Sequence, residues 1–232
     1  MATALITGAS GAIGRAIADA LNAKGYELIC CVNRNTDATK ELYAKGYETV
    51  SCDFSDAAAL RALCGMVGSR RIDVLVNCAG VAYYGLFHEM TEADIRRVLD
   101  VDLTATMLVT RAILPSMLRV KNGRIINITS MWGVVGASCE VCYSAAKAGM
   151  IGLTKALARE VGRSGVTVNA IAPGVIDTPM IAHLDSEARQ ELADAASVAR
   201  LGTPEDVAQA VCYLVDAPFV TAQVLGVDGG FI

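Results

Sequence analysis

The chain has 232 residues, 53% of them hydrophobic and 19% charged, with a formal net charge of −4. That length suits one domain with a single substantial core, and the apolar content excludes a disordered chain. No run of lysine or arginine stands out, so nucleic acid and anionic membrane surfaces are excluded as expected partners.

The first predicted strand is "TALIT" (3–7). It begins so early that no basic segment and apolar run precede it, and no stretch reaches the ~18 uninterrupted apolar residues of a spanning helix. The cytoplasm is the expected compartment. "TGASGAIG" (7–14) follows and leads into a helical segment at 13–25. There Gly8, Gly11 and Gly14 let the backbone turn tightly and approach a pyrophosphate at the helix start, although glycine can also simply make turns. The second strand, 27–32, runs into "CVNRN". Arg34 stands where a ribose-reading carboxylate is expected for NAD. An arginine there pairs with a 2′-phosphate, which favours NADP(H); the alternative is a solvated loop residue.

Further strands are read at 49–53, 73–79, 124–129, 166–172 and 223–227, with periodic helical segments at 93–118 and 204–215. Near-continuous apolar strands separated by helices imply an α/β fold, a doubly wound parallel sheet of about seven strands with helices on both faces. No repeat, low-complexity tract or linker divides it. Ligands in such sheets bind outside the carboxyl ends of the strands. The loops at 77–80 ("NCAG"), 129–133 ("TSMWG") and 172–180 ("APGVIDTPM") all follow strands and converge there.

Tyr143 and Lys147, in "YSAAK", stand four apart on a predicted helix and share a face. Alone, such a pair is usually a half-buried aromatic beside a surface charge. Here Ser130 lies thirteen residues earlier, after a strand, and a cofactor loop is present. A nearby ammonium favours the phenolate, so Lys147 is expected to lower the Tyr143 pKa. Tyr143 can then exchange a proton with a carbonyl oxygen, and Ser130 can hydrogen-bond the same oxygen. Ala145, Ala146, Ala148 and Gly149 suggest close approach of other backbone, such as a helix of a second subunit, and leave room for the cofactor. The eight cysteines (30, 31, 52, 64, 78, 139, 142 and 212) read as small hydrophobes; Cys139 and Cys142 form C-x-x-C, but nothing completes a metal site.

Taken in order, these motifs resemble the short-chain dehydrogenase/reductase family across essentially the whole chain, and within it the 3-oxoacyl-[acyl-carrier-protein] reductases. "SMWGVVGASCEVCYSAAK" (130–147) also resembles bacterial reductases of an aminopentanone modification of elongation factor P, and "GVDGGF" (226–231) fits both. The resemblance implies Ser130, Tyr143 and Lys147 as the catalytic set, with Lys147 also gripping the nicotinamide ribose. Ser10 and Ile13 join the loop glycines on the cofactor, and Asn33 joins Arg34. Asp53 and Phe54 border the adenine, while Cys78, Ala79 and Gly80 line the ribose side. Pro173, Gly174, Ile176 and Thr178 hold the nicotinamide end. No metal is implied; a dimer or tetramer is.

Three residues depart from the family pattern. Ala12 replaces a glycine, and Cys78 replaces the second asparagine of "NNAG". Asp102, in "LDVDLTAT", occupies the position of the fourth catalytic residue, normally asparagine. A carboxylate there adds negative charge near Lys147, so it is expected to raise the lysine pKa and offset its pull on Tyr143. A capping or solvent-facing aspartate is the alternative.

The segment 177–202 lacks a strand, and Met180, Ile181 and Leu184 could close it over a substrate as a lid. Tyr83, Tyr84, Trp132, Val134 and Val135 are candidate pocket walls. Lys121 and Arg163 could meet an acidic carrier protein. The expected function is NADPH-dependent reduction of a 3-oxoacyl thioester. The alternatives are reduction of another ketone, such as the aminopentanone, and a cofactor sensor without turnover.

Overall fold

The structure is a computed structural model that describes residues 1–33, 36–182 and 184–232. Its centre is a seven-stranded parallel sheet in the order β3-β2-β1-β4-β5-β6-β7. The strands are β1 (Thr3–Thr7), β2 (Glu27–Val32), β3 (Glu48–Ser51), β4 (Val74–Asn77), β5 (Gly123–Ile128), β6 (Val166–Pro173) and β7 (Val224–Val227). All eight residues of β6 and all four of β4 are buried, as strands covered on both faces require.

Alternate residues of the central strands feed two cores. Ile6, Val76 and Ile126 pack on one face with Ile17 and Leu21 of α1 (Ala12–Ala23) and with Val207 and Val211 from the C-terminal helix, Pro204–Asp216. Leu5, Leu75 and Ile125 pack on the other, against Leu63 of the helix Ala57–Gly68 and Ile113 and Met117 of the helix Ala105–Val120. With α2 (Thr36–Ala44), Ala57–Gly68 becomes α3. Helices α4 (Glu92–Leu99) and α5 (Ala105–Val120), the short α6 (Trp132–Val135), the long α7 (Val141–Val161), α8 (Ser186–Ala195) and α9 (Pro204–Asp216) follow. Two starts are capped reciprocally: Thr91 with Asp94 opens α4, and Thr203 with Asp206 opens α9 just ahead of Pro204.

Two expectations need correction. The predicted strands 49–53 and 73–79 stop earlier, at Ser51 and Asn77. After Asn77 the peptide N–H groups of Cys78 and Ala79 donate to the Thr7 hydroxyl (3.0 and 3.1 Å) instead of to a neighbouring strand. The predicted helix 93–118 is broken by a π turn over Asp100–Thr104, the kind of local insertion that recurs at functional positions. The Thr106 hydroxyl donates to the Asp102 carbonyl (3.2 Å) inside that turn. The run Glu92–Val120 is long and apolar enough to cross a membrane, but half of its apolar window is buried inside the fold, as in a core helix.

Register aligns the carboxyl ends of the central strands. Thr7 pairs with Asn77, and Asn77 with Asn127. The Asn77 amide donates to Asn127 (2.8 Å) and to Thr110 of α5 (3.1 Å); the Asn127 amide donates to Thr154 of α7 (2.8 Å). This buried polar chain ties two strands to two helices just below the loops. Asn127→Ala should cost about 1–3 kcal/mol, because the Asn77 amide loses its buried acceptor. The expected result is a lower urea midpoint with an unchanged m-value.

Candidate active site

The switch between β1 and β4 opens a crevice at the carboxyl edge, and the first β–α turn floors it. Gly8 has φ of +66°, a left-handed conformation, and a Cβ there would sit 2.7 Å from the Ala79 backbone. The Gly11 N–H donates to the Gly8 carbonyl (3.0 Å), and no side chain caps α1. The first N–H groups of α1 are thus left for an anion beside a turn that only glycine can make. This cradle fits the pyrophosphate of a dinucleotide. Ala12 opens α1 and is half-exposed.

The other cofactor residues are spread as follows. Asn33 is exposed at the end of β2; Arg34, on which the preference for NADP(H) turns, lies outside the described residues. Phe54 is buried, and Asp53 accepts from the Ser55 N–H and hydroxyl. Cys78 and Ala79 are half-buried and Gly80 is exposed along the β4 loop. Burial pushes the Cys78 thiol up to about 12, with Lys147 opposing. The Met131 N–H donates to the buried Pro173 carbonyl (2.9 Å), and a Cβ on Gly174 would meet Asp228 at 2.7 Å. Ser10 and Ile13 are half-buried in the glycine loop, and Thr178 is half-buried beyond β6. The Ile176 side chain belongs to the core, under Gly202, which leaves its backbone as the part available to a ligand.

Helix α7 brings Tyr143 and Lys147 together, with the lysine nitrogen 5.4 Å from the centre of the phenol ring. Lys147 is only 4% exposed. Its ammonium donates to the Ile128 carbonyl (3.3 Å) and contacts Met150 sulfur (3.8 Å). Its counter-charge is Asp102, whose Oδ2 lies 3.4 Å away and whose Oδ1 accepts from the Val81 N–H (2.8 Å). Asp102 is 0% exposed, so it is neither a cap nor a solvent-facing residue. Ser130, two residues past β5, is buried and accepts from the Trp132 N–H (3.1 Å).

Burial works against the Lys147 charge, but Asp102, Tyr143 and Cys78 more than restore it, and the ammonium is held above its ordinary value. Asp102 is itself raised, by burial first, against the pull of Lys147 and the Val81 N–H. Lys147 does pull the Tyr143 pKa down, as expected, but the net direction is upward. Burial dominates, Asp102 and Glu140 add to it, and Lys147 and the Ser130 hydrogen bond only partly oppose them. The phenol is therefore held in its protonated form.

Two glycines shape this centre: Gly80, expected on the ribose side, and Gly133, which sequence reasoning passed over. A Cβ on Gly80 would stand 3.1 Å from the Lys147 nitrogen and 3.2 Å from Asp102, and one on Gly133 would stand 2.8 Å from the Lys147 backbone. Within this chain α6 approaches the α7 backbone at Gly133, and Leu103 fills the space over Gly149. Ala145 and Ala148 face outward. Tyr83, Tyr143, Val81 and Leu103 pack against one small core of Val98, Cys142 and Ala146, whereas Tyr84, Val134, Val135 and Met180 are exposed. Trp132 meets Phe231 edge-to-face at 5.8 Å. The C-x-x-C pair does not act together: Cys142 is buried and donates to the Ile95 carbonyl, and all eight thiols are free.

Gly8→Ala is expected to weaken dinucleotide binding about tenfold or more, since any side chain there strains the turn and displaces the β4 loop. Titration of reduced-nicotinamide fluorescence measures this.

The family model described as Enoyl-(Acyl carrier protein) reductase matches residues 8–232. A 3-oxoacyl-[acyl-carrier-protein] reductase of Synechocystis sp. is 40% identical over 240 residues, covering 99% of this chain and 96% of that protein. The uncharacterized oxidoreductase YmfI of Bacillus subtilis is 37% identical over 238 residues, covering 99% and 98%. Among solved structures, a 3-oxoacyl-[acyl-carrier protein] reductase from Brucella melitensis has a TM-score of 0.90 at 35% identity, covering 100% of this chain and 91% of the other. The chain belongs to the short-chain dehydrogenase/reductase family, oxidoreductases that work with a nicotinamide cofactor.

Proposed function

We propose that the protein is an NADPH-dependent carbonyl reductase whose substrate is a 3-oxoacyl thioester. The observation that carries this reading is the meeting of Tyr143, Lys147 and Ser130 beside the glycine turn. The relatives named for 3-oxoacyl reduction support the substrate class, and Arg34 in the sequence supports the 2′-phosphate.

A bound nicotinamide supplies the hydride to the carbonyl carbon. The residues of this chain handle the oxygen. Ser130 hydrogen-bonds it as negative charge develops, and Tyr143 delivers its hydroxyl proton to it. Lys147 stabilises the phenolate that remains and reaches the cofactor ribose. Phe54 and Asp53 border the adenine. The apolar rim of Tyr84, Val134, Val135 and Met180 accepts an acyl chain, and the segment 177–202 acts as its lid. A cytoplasmic homo-oligomer belongs to this reading.

Oxidation of NADPH and of NADH with acetoacetyl thioester, followed by absorbance, tests the proposal. NADPH should be preferred, and Tyr143→Phe should lower kcat by about 10²–10⁴ while retaining cofactor binding. Tight NADPH binding without turnover on a broad panel of ketones would favour the sensor instead.

A second reading, an amine-bearing ketone, is favoured by Glu140. This carboxylate lies one turn before Tyr143, is half-buried, caps nothing and has no ion-pair partner among the described residues; burial raises it. A cationic amine would supply the missing charge. Under that reading Glu140→Gln should raise KM for an amino ketone about tenfold and leave the acetoacetyl thioester unaffected. Equal effects on both substrates would remove it.

A further inference from the structure

While Lys147 and Asp102 are both charged, the closed part of the site is balanced only with Tyr143 protonated. With Lys147 as ammonium, Asp102 as carboxylate and Tyr143 as phenol, the cluster is neutral. Ionising the phenol leaves one uncompensated negative charge in a space with little water. Asp102 cannot relieve this by turning away. It is 0% exposed, its Oδ1 is held by the Val81 N–H at 2.8 Å, and its Oδ2 lies 3.4 Å from the ammonium with no hydrogen bond of its own. An asparagine could accept the same Val81 bond and leave the full lysine charge for the phenolate.

We propose that Asp102 is a positioning residue which, by neutralising Lys147, reserves Tyr143 for proton donation, so that the site reduces carbonyls at neutral pH and oxidises alcohols only in alkali. The inference rests on Tyr143 being the proton donor of the reading above. In reduction the carbonyl carbon gains a hydride, its π pair moves to oxygen, and that oxygen takes the Tyr143 proton. In oxidation the phenolate must already exist to take the alcohol proton as hydride leaves the carbinol carbon. The first direction starts from the neutral cluster and the second from the unbalanced one.

The groups that bear on Tyr143 are consistent with this. Lys147 lies on its own helix, Asp102 on the π turn, Ser130 beyond β5, Glu140 ahead of α7 and Tyr83 on the β4 loop, with Cys78 behind the lysine. Lys147 is the sole cation among them, and Asp102 already balances it. The net effect of burial, both carboxylates, Lys147 and Ser130 holds the phenol above its ordinary value.

The test is Asp102→Asn, read in two ways. Phenolate absorbance of the cofactor-free protein, taken as the difference from Tyr143→Phe, reports the tyrosine itself. Rates of ketone reduction and alcohol oxidation from about pH 6 to 10 report direction. In the variant the phenolate should appear about one pH unit or more lower, and oxidation at neutral pH should rise about tenfold relative to reduction. Identical titrations and an unchanged ratio of the two rates would overturn the inference. If circular dichroism shows that the variant does not fold, the unmodified protein still decides: a Tyr143 that ionises below its ordinary value of about 10 overturns the idea. Turnover persisting in Tyr143→Phe would instead overturn the reading on which it rests.

Discussion

An ammonium buried without a counter-charge costs several kcal/mol, and the region around Lys147 is built to meet that constraint. The π turn brings Asp102 to within 3.4 Å of it. The Val81 N–H fixes the carboxylate, and the Ile128 carbonyl accepts a hydrogen bond from the lysine ammonium. Gly80 and Gly133 have no side chains because the lysine and its partner occupy the space. Removing one partner would leave the other charged and desolvated, so these features stand or fall together.

The sheet supplies the platform. Because Thr7, Asn77 and Asn127 share one row, the loops after β1, β4 and β5 leave the sheet at the same height. The glycine turn, the ribose-side loop and Ser130 therefore meet over one crevice although they lie far apart in sequence. The Thr7 hydroxyl joins the first two of these loops, and the asparagine chain below anchors the row to α5 and α7.

Much of this was legible in the residues. Apolar runs of four to eight with helical segments between them announce a covered parallel sheet, and the glycine turn and the Tyr143–Lys147 spacing announce the site. Three things were not. The π turn was hidden because one extra residue shifts the phase of an apolar stripe without erasing it on either side, so α4 and α5 read as one helix. The direction of the Tyr143 shift depends on how deeply the phenol is packed against the small core of Val98, Cys142 and Ala146, which spacing cannot convey. Glu140 carried no signal beyond being an acid near a tyrosine; only its lack of side-chain partners among the described residues sets it apart.

The irregular turn at Asp100–Thr104 also bears on how this protein could change. Deleting one residue there would mend the helix into an unbroken cylinder, a gain in backbone regularity. It would also rotate everything upstream by about 100° relative to α5, carrying either the carboxylate or the apolar face of α4 away from its seat. Regularity and chemistry pull against each other at this point in the chain, and the chain keeps the chemistry.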